Sequence, residues 1–145
     1  MTHDAAGTEI RLEHRVPSPE EHRRIAESVG WARGSDWPSV PRSLERSLFG
    51  VVAMTGDRAV GMGLLVGDGV LYFYIQDLAV NPAWRGRGVG QMIVETLLAY
   101  IREVTPAAAF VGLFATPDAL QLYQRNGFSD GDMTGMFRLV RPDTA

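Results

Sequence analysis

The chain has 145 residues, with 14 basic and 17 acidic side chains for a formal net charge of −3. Hydrophobic residues make up 46% and charged residues 21%, the mix of a globular domain and not of a disordered or fibrous chain. This length predicts one domain over residues 1–145, and the acidic balance excludes a nucleic-acid partner held by a strongly basic face.

The sequence has no Cys, which removes disulfides, thiolate metal sites and a cysteine nucleophile. It also has no Lys, which removes a Schiff-base lysine and a phosphate-loop lysine. His3, His14 and His22 cluster near the N-terminus without metal-ligand spacing, so no metal site is expected. No apolar run reaches the roughly 18 residues needed to span a membrane. Met1–Glu13 lacks the apolar core of a signal peptide, so a cytoplasmic protein away from membranes is expected.

Taken in order, Glu9–Val16 alternates with Ile10, Leu12, His14 and Val16 on one face, and predicts a first strand. Ser18 and Glu21 make a capping box with Pro19 at the first helical position, predicting a helix over Pro19–Val29 that stops at Gly30. Trp31–Pro41 reads as a loop, followed by a short helix over Pro41–Ser47. Leu48–Thr55, Arg58–Val66 and Val70–Val80 read as an antiparallel meander. Its turns are Gly56-Asp57 and Gly67-Asp68-Gly69.

Asn81-Pro82 breaks the fourth strand. A Gly-rich turn then leads into an amphipathic helix marked by Val89, Met92, Ile93, Leu97, Tyr100 and Ile101. Phe110–Phe114 reads as a buried strand, Asp118–Arg125 as a helix stopped by Asn126-Gly127, and Met136–Val140 as a last strand. The result is a mixed α/β sheet with helices on both faces.

The turn is Arg85-Gly86-Arg87-Gly88-Val89-Gly90. Alternate glycines let the backbone approach a ligand, and amides at a helix N-terminus favour an anion such as a pyrophosphate. A Walker A loop fails for want of Lys. The dinucleotide fingerprint fails because Gln91, or Ile93, stands where its last Gly is required. A plain Gly-rich turn remains the competing reading.

Tyr72–Leu98 (YFYIQDLAVNPAWRGRGVGQMIVETLL) resembles the central motif of the GCN5-related N-acetyltransferases, the GNAT family. Arg85, Gly88 and Gly90 match that family's Arg/Gln-x-x-Gly-x-Gly/Ala signature. Ala119–Phe128 (ALQLYQRNGF) is similar to its second motif, A-x-x-L-Y-x-x-x-G-F. The resemblance covers essentially the whole chain. It implies a mostly antiparallel sheet of six to seven strands with about four helices, splayed between the fourth and fifth strands.

It further implies acetyl-CoA as cosubstrate and a ternary complex with a primary amine of a small molecule or protein. Monomer and homodimer both remain open. Backbone groups around a bulge at Leu78, Ala79 and Val80 would pair with the pantetheine arm. The amides of Gly86, Arg87, Gly88, Val89, Gly90 and Gln91 would hold the pyrophosphate, with charge from Arg85, Arg87 and Arg125. Thr116 stands where many relatives carry a pantetheine-binding Asn. Tyr123 matches the general acid that protonates the departing thiolate, and a core aromatic is its competing reading.

On the fourth strand, alternation puts Tyr74 and Gln76 on the acceptor-facing side and Asp77 on the other, unless the bulge shifts the phase. Asp77 is the only carboxylate on this strand and is read as the base, acting through water; direct attack by an amine that arrives neutral, with Asp77 a structural hydrogen bonder, is the alternative. Trp31 and Trp37 lie in the region that covers the acceptor pocket in such proteins, with loop packing as the competing role. A non-catalytic module that binds or senses acyl-CoA is the alternative function.

Overall fold

The computed structural model describes residues 2–3, 9–31 and 34–142. The signal-peptide reading over Met1–Glu13 and the loop reading over Trp31–Pro41 fall partly outside them. Met1–Leu113 and Phe114–Ala145 form two compact units.

In the first unit, β1 (Thr2–His3) and β2 (Glu9–Glu13) precede α1 (Pro19–Ser28). A 3₁₀ helix (Gly34–Ser39) and α2 (Val40–Glu45) follow. Then come β3 (Phe49–Thr55), β4 (Arg58–Gly67), β5 (Tyr72–Val80), a 3₁₀ turn (Pro82–Trp84), α3 (Val89–Val104) and β6 (Phe110–Gly112). The strands lie side by side in chain order, antiparallel except for the parallel β5–β6 pair. The two-residue β1 was not legible in the sequence, so the strands read there as first to fifth are β2 to β6.

Local chemistry sets the ends of these elements. The Ser18 hydroxyl accepts from the Glu21 amide at 3.1 Å, and the Glu21 carboxylate accepts from the Ser18 amide at 2.8 Å. This reciprocal cap starts α1 with Pro19 at its first position. Gly30, at φ +84°, ends it: the Gly30 amide donates to Glu27 and the Trp31 amide to Ala26, both at 3.0 Å. Gly56, at φ +59°, makes the two-residue turn between β3 and β4. Asp68 holds the next turn. Its Oδ1 accepts from the amides of Val70, Leu71 and Tyr72 at 2.9, 2.9 and 3.0 Å.

The sheet is covered on both faces. Paired residues share a face; Met62 and Ala79 pair, and they pack with Ile25 and Ala26 of α1. Leu64 packs with Val40 and Leu44 of α2 on the same side. The alternate residues look toward α3: a Cβ on Gly63 would lie 2.7 Å from Ile93 Cγ2 and 3.2 Å from Leu97 Cδ1. Gly61 and Gly63 thus let α3 seat closely on β4. Ile93, Val94 and Leu97 are fully buried there.

The second unit contains a 3₁₀ turn (Pro117–Ala119) and α4 (Leu120–Arg125). Pro117 and Asp118 sit in that turn, so the α-helix starts at Leu120 and not at Asp118 as read from the sequence. Tyr123 is the buried residue of α4, whereas Leu120 is 48% exposed. The strand expected over Met136–Val140 does not form. No described backbone pairs with that segment, and a lone strand without a ladder partner has no stability of its own. Leaving aside β1, the sheet has five substantial strands, fewer than the six to seven expected. No described helix is long and apolar enough to cross a membrane.

Candidate active site

The β4–β5 ladder breaks at one place. Met62 pairs with Ala79 and Leu64 with Gln76, so Asp77 and Leu78 together oppose Gly63. Asp77 takes up the extra residue with φ +52°, the left-handed conformation, and is the only non-glycine with positive φ among the described residues. The bulge therefore lies at Asp77-Leu78, one residue earlier than the Leu78-Ala79 position read from the sequence. The left-handed residue also shifts the phase of the strand. Simple alternation would group Asp77 with Phe73 and Ile75, but its side chain reaches α1, on the face shared by Tyr74, Gln76 and Ala79. Leu78 turns toward α3, its Cδ1 3.7 Å from the Cβ position of Gly63.

The β5–β6 pairing runs only from Tyr72↔Phe110 to Tyr74↔Gly112, so the ladder ends three residues before Asp77. The bulge thus lies just past the point where the parallel strands stop bonding.

One partner of Asp77 is a histidine with no site role in the sequence reading. His22 of α1, 1% exposed, places Nε2 2.8 Å from Asp77 Oδ2. Gln76 Nε2 donates to Asp77 Oδ1 at 2.7 Å. His22 Nδ1 is buried without a hydrogen-bond partner among the described residues. Trp37 meets the His22 ring edge-on at 6.1 Å, and the Arg23 guanidinium lies 4.7 Å above the Trp37 ring. Trp31 and Trp37 are half-buried and pack against the core cluster under α1. Tyr74, Gln76, Asp77, Trp37 and His22 thus belong to one face. Only the amphipathic spacing of α1, which puts His22 on the stripe of Ile25 and Ala26, hinted that His22 would be there.

The Gly-rich turn opens α3. Gly86 and Gly88 adopt φ +76° and +79°, and a Cβ at either would meet nothing within 4 Å. The first intrahelical bond is from the Met92 amide to the Gly88 carbonyl at 3.0 Å. The amides of Val89 and Gly90 precede this first closed turn, at the helix N-terminus. Open space in front of two left-handed glycines, at the positive end of a 16-residue helix, fits the pyrophosphate of a CoA ester. Arg87 lies over Trp84, its guanidinium carbon 4.7 Å from the ring centre, and Arg85 is exposed. Leu78 and Val80 are half-buried and Ala79 is buried against α1.

Within the second unit, Tyr123 is 6% exposed and meets Phe128 edge-on at 5.9 Å. The Gly127 amide donates to Gln124 and the Phe128 amide to Tyr123, which closes α4 around that ring. Thr116 donates its hydroxyl to Asp118 at 2.6 Å, so the hydroxyl keeps only acceptor capacity. Arg125 is exposed in the last turn of α4. No described group of His, Asp or Glu could hold a metal ion.

Three acidic groups of the first unit are held below their ordinary range, and Glu13 is one of them, through its bond to Arg15. Arg15, at 2.8 Å, holds the Glu21 carboxyl below the usual carboxylate range. The amide of Tyr72, with those of Val70 and Leu71, does the same for Asp68.

A bulged antiparallel sheet thus parts from its parallel neighbour beside a glycine-lined helix N-terminus. A family profile described as "Acetyltransferase (GNAT) domain" matches residues 46–130, more than half of the chain. The chain belongs to the GNAT acetyltransferase family. It is 29% identical over 113 residues to an uncharacterized ycf52-like N-acetyltransferase of Prochlorococcus marinus, covering 75% of this chain and 61% of that protein. It is also 29% identical over 105 residues to serotonin N-acetyltransferase 2, chloroplastic, of Oryza sativa, covering 70% of this chain and 51% of that one. The chain therefore spans between half and two-thirds of these two relatives.

Among solved structures, a probable acetyltransferase of unknown function from meticillin-resistant Staphylococcus aureus matches with a TM-score of 0.83 and 28% identity. That match covers 91% of this chain and all of the other. A GNAT-family acetyltransferase from Streptococcus pneumoniae matches with a TM-score of 0.78 and 28% identity, covering 92% of this chain and all of the other.

Proposed function

We propose that the chain transfers an acetyl group from acetyl-CoA to a primary amine in a ternary complex. The observation that carries this reading is the Gly86–Gly88 turn. Its left-handed glycines and its place at the positive N-terminus of α3 suit a pyrophosphate. Family membership and relatives named N-acetyltransferases support the same chemistry.

In this reading the amides from Gly86 to Gln91 hold the pyrophosphate, with Arg85, Arg87 and Arg125 adding charge. The backbone of Leu78 and Val80 pairs with the pantetheine arm, and Thr116 accepts a hydrogen bond from it. The acceptor lies against the face of Tyr74, Gln76, Trp31 and Trp37. Its nitrogen attacks the thioester carbonyl and loses a proton to Asp77, directly or through water. The C–S bond breaks and Tyr123 gives the thiolate its proton. Aromatic rings around a carboxylate suit a cationic amine.

The test is CoA-thiol release from acetyl-CoA over a panel of primary amines. Serotonin belongs in that panel because of the rice relative's name. Amine-dependent release with formation of the N-acetyl product supports the reading. Tight CoA binding without release by any amine supports a sensing module in its place.

A further inference from the structure

We infer that His22 is a positioning residue for the reaction. Its Nε2–H locks the Asp77 carboxylate, ionised, at the bulge where the amine gives up its proton. The inference rests on the acetyl-transfer reading and assigns a role to a side chain on α1, outside both sequence motifs.

Three observations carry it. First, Asp77 is held in a left-handed backbone conformation, and such strain persists in non-glycine residues where the surroundings enforce it, often at functional sites. Second, both carboxylate oxygens are gripped by donors from different elements. Nε2 of His22 lies 2.8 Å from Oδ2, and Gln76 Nε2 lies 2.7 Å from Oδ1. An ionised carboxylate only accepts, so Nε2 carries a proton toward it, and in the neutral ring Nδ1 then holds the lone pair. Two donors favour the ionised form of Asp77 and fix its plane. A carboxylate has about four lone-pair sites on its two oxygens, so it can accept from more than these two donors.

Third, His22 is a poor choice for packing alone. It is 1% exposed beside Ile25 and Ala26, and its Nδ1 finds no partner among the described residues. An apolar side chain would fill that place without orphaning a polar atom. What His22 adds is an N–H directed at Asp77 Oδ2.

The charged neighbours are otherwise engaged. On α1, Glu21 is bonded to Arg15 and Ser18, and Arg23 to Glu27 and the Trp37 ring. Asp36 on the 3₁₀ helix and Arg42 and Glu45 on α2 are exposed, and Tyr74 is half-buried on the shared face of β5. His22 reaches Asp77 from the helical layer, with Nε2 2.8 Å from Oδ2.

The test compares wild type, His22→Phe and His22→Gln in the pH dependence of kcat/KM for the best amine of the panel. Nitrogen NMR of the wild-type imidazole is the second arm. Phe removes the donor; Gln restores an N–H at similar reach. The expected result is an acid limb moved up by about one pH unit in His22→Phe, the equivalent of one charge-assisted hydrogen bond. His22→Gln should restore the wild-type limb, and Nδ1 should carry no proton. An unmoved limb in folded His22→Phe, with wild-type turnover intact, overturns the inference alone. So does a wild-type Nδ1–H tautomer, which stands even if His22→Phe fails to fold. Absence of turnover by the wild type with every amine overturns the acetyl-transfer reading and this inference with it.

Discussion

Gly88 is the cleanest place to separate backbone strain from ligand binding. It sits at φ +79° as the N-cap of α3, with nothing within 4 Å of a would-be Cβ. Gly88→Ala therefore adds no clash, only the cost of an L-residue in the left-handed region, about 1–2 kcal/mol. For a chain of this size that lowers Tm by roughly 2–4 °C per kcal/mol. Gly56→Ala is the matched control: φ is +59°, the Cβ space is equally empty, and the residue lies in the β3–β4 turn. Both variants should lose similar stability. Only Gly88→Ala places a methyl in front of the α3 amides. Losing one amide bond to a charged phosphate costs about 1.5–3 kcal/mol, so CoA affinity should fall about tenfold or more. Calorimetric titration with CoA, alongside melting curves without ligand, reads both effects. If Gly88→Ala binds CoA as tightly as Gly56→Ala does, the turn does not hold the pyrophosphate.

Tyr123→Phe keeps the buried ring and its edge contact with Phe128 while removing the hydroxyl, so Tm should hold and turnover should fall by roughly 10²–10⁴-fold. Wild-type turnover with chemistry rate-limiting would remove Tyr123 from the proton path. Gly63→Ala should destabilise by about 1–3 kcal/mol, because its Cβ would lie 2.7 Å from the branched carbon Cγ2 of Ile93. A urea titration that finds it neutral would show that α3 can lift off β4 at little cost. Stability should also fall with acid. The folded carboxyls of Glu21 and Asp68 lie below their ordinary values of 4.5 and 3.8, so their contribution is present above those values and lost as pH falls through the folded ones. Glu21→Gln should flatten that slope, and an unchanged slope would show that the Arg15 contact does not stabilise the fold.

Much of the fold was legible because its signals are local. Ser18, Pro19 and Glu21 fix the start of α1, Gly56 the hairpin, and the spacing of Val89, Ile93, Leu97 and Ile101 the buried face of α3. The glycine turn was equally plain, since Gly86 and Gly88 do adopt the left-handed conformation that only glycine takes freely.

What escaped depends on non-local pairing. The bulge is a property of the β4–β5 register, and one left-handed residue carries Asp77 across the sheet to the face of α1. Period-two counting assigns Asp77 to the wrong face as soon as that residue is inserted. His22 escaped because its meaning lies in a contact with a residue 55 positions away. Met136–Val140 has the apolar composition of a strand, but a strand exists only through a ladder partner.

The most direct measurement is the initial rate of thiol release from acetyl-CoA with saturating amine, panel member by panel member, against the no-amine rate. The account predicts at least one primary amine that raises release well above background, with one N-acetyl product formed per thiol. A chain that binds CoA in titration yet shows the background rate with every amine would contradict it.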